Sequence, residues 1–455
     1  MATNNKHEQW SSKATFLFAT VGAAVGLGNL WRFPFVAGEN GGGAFVLVYL
    51  FFVALFGIPL LVSELGIGRR GQKNPINSMQ SISKHENANN GWSIVGWLSV
   101  GIPLISLSFY SVVGGWALYY ILEAGMNSFD AIEGIKSKEN FDSFVASPTQ
   151  LFIAHTIFTG LAVLVVGRGI KNGIERIVKI MMPALFILLV IMVINSVLTA
   201  DISAGLKFLF TPDFSKITPA VITMAMGQAF LSVGIGVGAM MTYGSYMPKK
   251  FSLTTSAATI AISDTLVAIL AGVAIFPIVF EYGLDPSGGP ELIFVTLPVA
   301  FGQMPLGYLL GLLFFILLFC AAFSTAVGML EPTVAWLSDR GFSRPLMALI
   351  AGGSTWLLGI VFVLSYNIWA DVRLFPNTPI LKEKNLLELT DFIITNLFIP
   401  LNALLIALFV GWIMARKSMV NEIDLGDGLV FKIWHFAIRY IIPVAIIIIF
   451  VTNFQ

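Results

Sequence analysis

Residues 22–35, GAAVGLGNLWRFPF, decide how this chain is read. They lie in a segment otherwise apolar enough to cross a membrane, yet they hold Gly22, Gly26, Gly28, Asn29, Arg32 and Pro34. Glycine and proline loosen a helix, and a charge at membrane depth is costly. The cluster predicts a helix that is interrupted, with backbone groups released at the break.

A second stretch, residues 227–246, has the same character. GQAFLSVGIGVGAMMTYGSY places Gly227, Gly234, Gly236, Gly238 and Gly244 within one helix length. Each interior glycine costs up to about 1 kcal/mol of helix stability. Glycines alone fit close helix packing in a membrane as well as they fit an unwound turn.

The surrounding composition is that of a polytopic membrane protein. Of 455 residues, 56% are hydrophobic and 11% charged; a soluble domain carries about twice that charge. Apolar runs at 44–62, 182–198, 309–322, 397–413 and 440–451 are long enough, with their flanks, for helices across a ~30 Å hydrocarbon layer. They do not alternate as the strands of a membrane barrel do. The fold class is therefore all-α. The first twelve residues are polar and no cleavable leader is visible. The single cysteine, Cys320, lies in an apolar run and reads as a packed core thiol. A net charge of +1 implies no nucleic-acid partner, and the lipid bilayer is the large partner expected.

Eleven spans are expected, at about 14–37, 43–68, 93–124, 149–166, 173–199, 217–246, 253–282, 305–337, 345–366, 387–415 and 429–452. Most of the 26 Lys and Arg fall on the side of the N-terminus. The opposite side holds Lys136, Lys138, Lys207, Lys216, Arg373, Lys382 and Lys384, and Arg32 and Arg439 fall inside spans. The positive-inside rule places the N-terminus in the cytoplasm, and an odd count leaves the C-terminus outside a cell (inner) membrane. The outer segments at about 282–304 and 367–386 are the longest, and the first is expected to fold over the outer mouth.

The two interrupted segments open two sets of five spans, 14–199 and 217–415, with 429–452 left over. Paired interruptions at corresponding places in two halves are the sequence mark of an inverted-repeat transporter and of its binding site. Unwound carbonyls can coordinate a cation, and the N–H groups of a new helix start can hold an anion. A small substrate with a carboxylate, travelling with a hard cation, suits both. The whole chain, 1–455, reads as one transmembrane domain.

At this point GLGNLWRFP, ENGGGAF, GQAF, MMTYGSY and EPTVAW are similar to the neurotransmitter:sodium symporter family, whose members have the LeuT fold. The resemblance runs from Trp10 to about Arg416. It implies two sodium sites. The first takes the Ala24 carbonyl, Asn29, Ser232, Asp264 and the substrate carboxylate; the second takes the carbonyls of Gly22, Val25 and Ala321 and the hydroxyls of Ser324 and Thr325. Both hydroxyls also fit ordinary back-bonding within a membrane helix. The substrate carboxylate is expected at the N–H groups of Leu27 and Gly28, with Ala24 and the Tyr110 hydroxyl beside it. Ser106, Phe230, Leu231, Ser232, Gly234, Val237, Thr325 and Met329 would enclose the rest of the substrate.

Several positions narrow the expectation. Gly26 stands where monoamine carriers of the family have an aspartate, which favours an α-amino acid. The apolar lining, the Gly-Ile-Gly turn, and Leu231 and Val237 at places that are often phenylalanine favour a hydrophobic, bulky or aromatic side chain. Asp264 and Ala268 replace an asparagine and a serine of chloride-dependent relatives, and Tyr49, Gln228 and Ser232 complete that pocket. Asp264 is therefore expected to supply the charge that chloride brings elsewhere, with no chloride requirement, and to carry a proton back when sodium leaves. A protonated Asp264 bonded to a carbonyl is the alternative.

The resemblance also implies gates. Arg32 and Asp391 would close the outer side. Trp10, Tyr246, Glu331 and Asp339 would close the inner side, where His7 and Lys6 stand in place of the usual arginine. As isolated charges near helix ends, these residues read equally as solvated or snorkelling groups.

Other classes fit less well. His7, His85, His155 and His435 form no HExxH pair and no nucleophile sits beside a base, so no enzyme is expected. A glycine-lined channel and a symporter for a small osmolyte or ω-amino acid, such as γ-aminobutyrate or taurine, stay as alternatives. The oligomeric state is open at this stage.

Overall fold

The structure is a computed structural model that describes residues 8–284, 291–423 and 426–453. His7 and Lys6 lie outside the described residues. Those described form helices joined by short turns, and this satisfies the backbone within each segment, as a bilayer demands.

Nine helices are long and apolar enough to cross a membrane among the described residues, or ten with one bent pair. They are Gly43–Gly71, Asn90–Gly125, Pro148–Gly167, Ile170–Thr199, Leu253–Glu281, Gly307–Ser338, Arg344–Leu364, Leu386–Ile413 and Leu429–Thr452. The bent pair is Lys13–Ala24 with Gly28–Glu39, turning by 54°. The expected eleven is reached only if Pro219–Ser232 and Ala239–Ser245 are taken together as the sixth span. Each half is too short to cross alone, because residues 233–238 between them leave the helix.

Local chemistry sets where these helices start. Ser12 caps Lys13–Ala24 through a capping box with Thr15, which satisfies amide groups left without partners at the helix start. Thr218 caps Pro219–Ser232, with its proline in the first turn. The N-terminal half of the first span, Lys13–Ala24, packs against Gly307–Ser338, Glu175–Thr199 and Leu253–Glu281, and Gly307–Ser338 runs along Ser93–Gly125. The two interrupted helices therefore sit in the middle of the bundle.

The described part of the segment at about 282–304 packs onto the bundle. Leu292–Thr296 and Leu297–Gln303 form a short helix with Leu292, Ile293, Phe294 and Phe301 buried. Phe294 meets Trp31 edge-on at 5.9 Å, so this helix rests on the C-terminal half of the first span.

Candidate functional site

In the first span, helical bonding stops at Ala24 because Val25 is extended (ψ 99°). The released groups find partners across the bundle. The Leu27 N–H donates to the Tyr110 hydroxyl at 3.2 Å, and the Gly26 N–H donates to Asn29 Oδ1 at 3.2 Å. The carbonyls of Gly22 and Val25 accept from Thr325 Oγ1 at 3.2 and 3.1 Å.

The second break depends on glycine itself. Gly234, Gly236 and Gly238 have φ of +68°, +78° and +98°, conformations other residues rarely adopt. A Cβ on Gly236 would lie 2.5 Å from the Ile399 carbonyl oxygen, and one on Gly238 would lie 2.2 Å from that of Ser99. The freed Gly236 N–H donates to the buried Glu64 carboxylate, and its carbonyl accepts from Asn402 Nδ2 at 2.8 Å. Sequence reasoning missed both partners. The available signal was a carboxylate in LLVSELGIG and an amide in LNALL, each polar in an apolar run.

Between the breaks is a cavity of about 170 Å³. Ala24, Leu27, Gly28, Ser106, Tyr110, Leu231, Gly234, Val237, Thr325 and Met329 line it, ten of the twelve residues predicted to do so. Ser232 is turned instead toward Asp264. Phe230 lines a neighbouring cavity of about 490 Å³ on the Arg32 side and packs on Phe56 at 5.8 Å. Phe109, Ala239, Met240 and Ile399 also line the inner cavity and were not foreseen. The Ser106 hydroxyl is buried there with no hydrogen-bond partner among the described residues, beside the polar Tyr110 and Thr325 in a mostly apolar lining. Gly26 is needed for space, since a Cβ would lie 2.7 Å from Thr325 Oγ1 and 3.0 Å from the Tyr110 hydroxyl.

Three of the predicted first sodium ligands come together. Asn29 Nδ2 donates to Ser232 Oγ at 3.1 Å, to the Asp264 carbonyl at 3.1 Å and to Asp264 Oδ1 at 2.8 Å. Ser232 Oγ donates to Asp264 Oδ2 at 2.5 Å, and the Tyr49 hydroxyl lies 3.0 Å from Ser232 Oγ. Asn29, Ser232, Asp264 and Tyr49 are all buried. Gln228 completes the surround, donating through Nε2 to the Gly28 carbonyl at 3.3 Å. The oxygens gathered here, those of Ser232 and Asp264, are of the kind a hard cation takes, whereas Asn29 turns its Nδ2 to them and its Oδ1 to the Gly26 N–H, so it could ligate only with its amide turned over.

The second set is also assembled. Thr325 bridges to Gly22 and Val25 as above, so it is not simply back-bonded. Ser324 Oγ donates to the carbonyls of Cys320 and Ala321 at 2.9 and 3.1 Å, which is the back-bonding arrangement. It nevertheless faces the first span, because a Cβ on Gly22 would lie 3.4 Å from Ser324 Oγ.

Away from Trp10, Arg32 and Asp391 both line the inner cavity, and no ion pair joins them among the described residues. Asp391 Oδ1 instead accepts from Thr395 Oγ1 at 3.2 Å. Arg32, Leu231, Thr395 and Ile399 line both cavities, so the inner cavity continues toward the larger one past the outer pair.

The Trp10 side is closed. Trp10 is 3% exposed; its Nε1 donates to the Tyr243 carbonyl at 3.0 Å, and its N–H donates to the Tyr246 carbonyl at 3.1 Å. The Tyr246 hydroxyl donates to Glu331 Oε1 at 2.7 Å, and Glu331 Oε2 pairs with Arg344. Arg344 Nε also donates to the Val166 carbonyl at 3.0 Å. Asp339 Oδ2 accepts from Asn74 Nδ2 at 2.6 Å. The cation of this closure among the described residues is thus Arg344, to which the sequence analysis gives no role.

Comparison with known proteins bears on the family and the fold. A family model described as "Sodium:neurotransmitter symporter family" matches residues 7–131 and 136–455. The chain is 39% identical over 452 residues to an uncharacterized sodium-dependent transporter, YhdH, of Bacillus subtilis (strain 168), covering 98% of each. It is 33% identical over 462 residues to an uncharacterized sodium-dependent transporter of Haemophilus influenzae, covering 100% of each. It is also similar to the crystal structure of MhsT in complex with L-phenylalanine, with a TM-score of 0.89 and 40% identity, covering 99% of this chain and 100% of that one.

Proposed function

The chain belongs to the sodium:neurotransmitter symporter family, and from that premise we propose that it imports a hydrophobic, bulky or aromatic α-amino acid by sodium symport. One observation carries the substrate class. The inner cavity has the Leu27 N–H and Tyr110 hydroxyl at the helix break, where a carboxylate is recognised, and an apolar wall of Leu231, Val237 and Met329 elsewhere. That a relative 40% identical was crystallised with L-phenylalanine supports the same class.

Two sodium ions are coupled in this reading. One is held by Ala24, Asn29, Ser232 and Asp264 with the substrate carboxylate, the other by Gly22, Val25, Ala321, Ser324 and Thr325. Each ion moving down a tenfold gradient yields roughly 1.4 kcal/mol, and each charge crossing 100 mV about 2.3 kcal/mol. Together these give about 7 kcal/mol; a proton carried back out against 100 mV at equal pH takes about 2.3 kcal/mol of that, and the roughly 5 kcal/mol left can concentrate a zwitterion about 10³–10⁴-fold. Asp264 makes transport chloride-independent and returns a proton when the sodium has left. The N-terminus lies in the cytoplasm and the C-terminus outside. The repeats 14–199 and 217–415 are related by inversion, and spans 1, 2, 6 and 7 rock against the rest to alternate access.

The test is uptake of labelled phenylalanine, tryptophan and leucine into proteoliposomes with an inward sodium gradient and gluconate in place of all chloride. Sodium-driven accumulation of the aromatic amino acids is the expected result. Accumulation of leucine alone refutes the bulky-substrate reading, and uptake only after chloride is restored refutes the role given to Asp264. Failure with all three, together with sodium-driven uptake of γ-aminobutyrate or taurine, refutes the substrate class.

A further inference from the structure

Arg439 lies inside Leu429–Thr452, one of the helices apolar enough to cross a membrane. Its guanidinium carbon sits 4.2 Å from the centroid of the Trp412 ring and 5.5 Å from that of Tyr440. Trp412 is 51% exposed and Tyr440 44% exposed, so this shelf is on the lipid-facing surface of the bundle. The arrangement is held in place from the backbone. Trp412 Nε1 donates to the Arg439 carbonyl at 3.0 Å, and a Cβ on Gly411 would lie 2.9 Å from Arg439 Cα. Both helices also carry a widened turn at this level, Phe409–Ile413 and Ala437–Ile441, a feature that gathers at functional sites.

The shelf lacks an anion. No carboxylate pairs with Arg439 among the described residues, and its Nε is buried without a hydrogen-bond partner. Neighbouring charge does not supply one: Arg416 is already paired with Asp427, and Lys417, Lys432 and His435 add positive or neutral groups. An uncompensated cation at a lipid surface is costly, and stacking on an indole offsets only part of that cost. A guanidinium stacked by its face keeps its hydrogen-bonding edge free, and that edge matches two oxygens of one phosphate. Trp412 is next to the end of its helix at Ile413, and tryptophan and tyrosine favour headgroup depth.

We propose that Arg439, Trp412 and Tyr440 form a binding site for the phosphate of an anionic phospholipid, in the leaflet on the side of the 414–428 connection. The guanidinium edge takes the phosphate oxygens, the two rings border the glycerol region, and the exposed Lys417 and Lys432 on the side of that connection favour a headgroup with net negative charge.

Native mass spectrometry of the purified full chain tests this, with phosphatidylglycerol and phosphatidylcholine added in equal amounts. The wild type is expected to retain phosphatidylglycerol in preference, and Arg439→Gln to bring retention down to the phosphatidylcholine level. Excess inorganic phosphate is expected to leave the lipid in place. An undiminished preference in Arg439→Gln overturns the proposal, and so does displacement by inorganic phosphate, which would make this a site for the free ion. If Arg439→Gln does not fold, Trp412→Leu removes the stacking face and keeps the charge. It is expected to lose the same preference, and retention there is equally fatal.

Discussion

The Ser232 hydroxyl lies 2.5 Å from Asp264 Oδ2, and it joins the sixth segment at its break to the middle of Leu253–Glu281. Asn29 holds the other carboxylate oxygen at 2.8 Å, so a single carboxylate ties both interrupted helices to a continuous one. That placement puts a fixed negative charge beside the proposed first sodium site.

Asp264→Asn keeps the size of the side chain and removes its charge. Sodium-driven uptake in gluconate is expected to fall at least about tenfold, since the cation loses a close anionic partner, and to recover when chloride is supplied. Uptake measured in matched chloride and gluconate buffers decides it. A variant that still transports at the wild-type rate without chloride refutes the charge-substitution argument.

Thr325 links Gly307–Ser338 to the unwound carbonyls of Gly22 and Val25. Thr325→Val preserves shape and deletes the hydroxyl. Loss of one oxygen ligand, worth about 1.4 kcal/mol, is expected to raise the sodium concentration for half-maximal uptake about tenfold. Ser324→Ala should have a smaller effect, because that hydroxyl is already shared with its own helix. A sodium dependence unmoved in Thr325→Val removes this residue from the site.

Most of this architecture was legible in the sequence because glycine and proline have few structural meanings inside an apolar helix. Glycines alone fit close packing equally well, and the breaks at Val25–Leu27 and Gly234–Gly238 become legible because the two clusters open two sets of five spans. Partners contributed by distant segments were less legible. Glu64 satisfies Gly236 across 172 positions of sequence, and no local pattern names it. Arg344 looked like one of many basic residues at a helix start, and only the packed bundle brings it to Glu331. The family resemblance puts Phe230 at the substrate, but its ring packs on Phe56 and lines the larger cavity instead.

Gly26 leaves no room for a side chain between Thr325 and Tyr110. Gly26→Ala is expected to raise KM for the amino acid about tenfold or more, as displacing the Tyr110 hydroxyl removes a partner from the Leu27 N–H. Melting of the purified variant should stay close to the wild type, because the contact is with two hydroxyl groups at the cavity. An unchanged KM shows that the break has slack that the close distances deny.

Outside the spans, Glu86 fastens the turn after Pro75–His85 to the segment following Leu386–Ile413. Burial acts to raise its pKa, yet the Ala415 N–H, Ser418 and Arg70 more than offset this and hold it below the ordinary carboxylate value. A carboxyl lowered in the folded state stabilises fully above its unfolded pKa, and that contribution disappears as pH falls through the folded value. Melting of the full chain in detergent should therefore drop on acidification, and Glu86→Gln should be less stable at neutral pH with a shallower acid dependence. Parallel pH curves for the two proteins refute this role.

The Glu331–Arg344 pair closes the Trp10 side from within, with Glu331 fully buried and also accepting from Tyr246. Removing one member of such a pair strands the other charge, at a cost of about 3–5 kcal/mol. Arg344→Gln alone should therefore lower the melting temperature by several degrees. It should also make Trp10 more accessible to a quencher added from the side of the N-terminus, because the Tyr246 anchor then faces an unpaired carboxylate. Glu331→Gln alone should cost about as much. In the double variant no charge is stranded, so most of the lost stability is expected to return, a coupling of ~1 kcal/mol or more between contacting residues. Purely additive losses in that cycle mean that the two side chains act independently and that Trp10 packing alone holds the closed side.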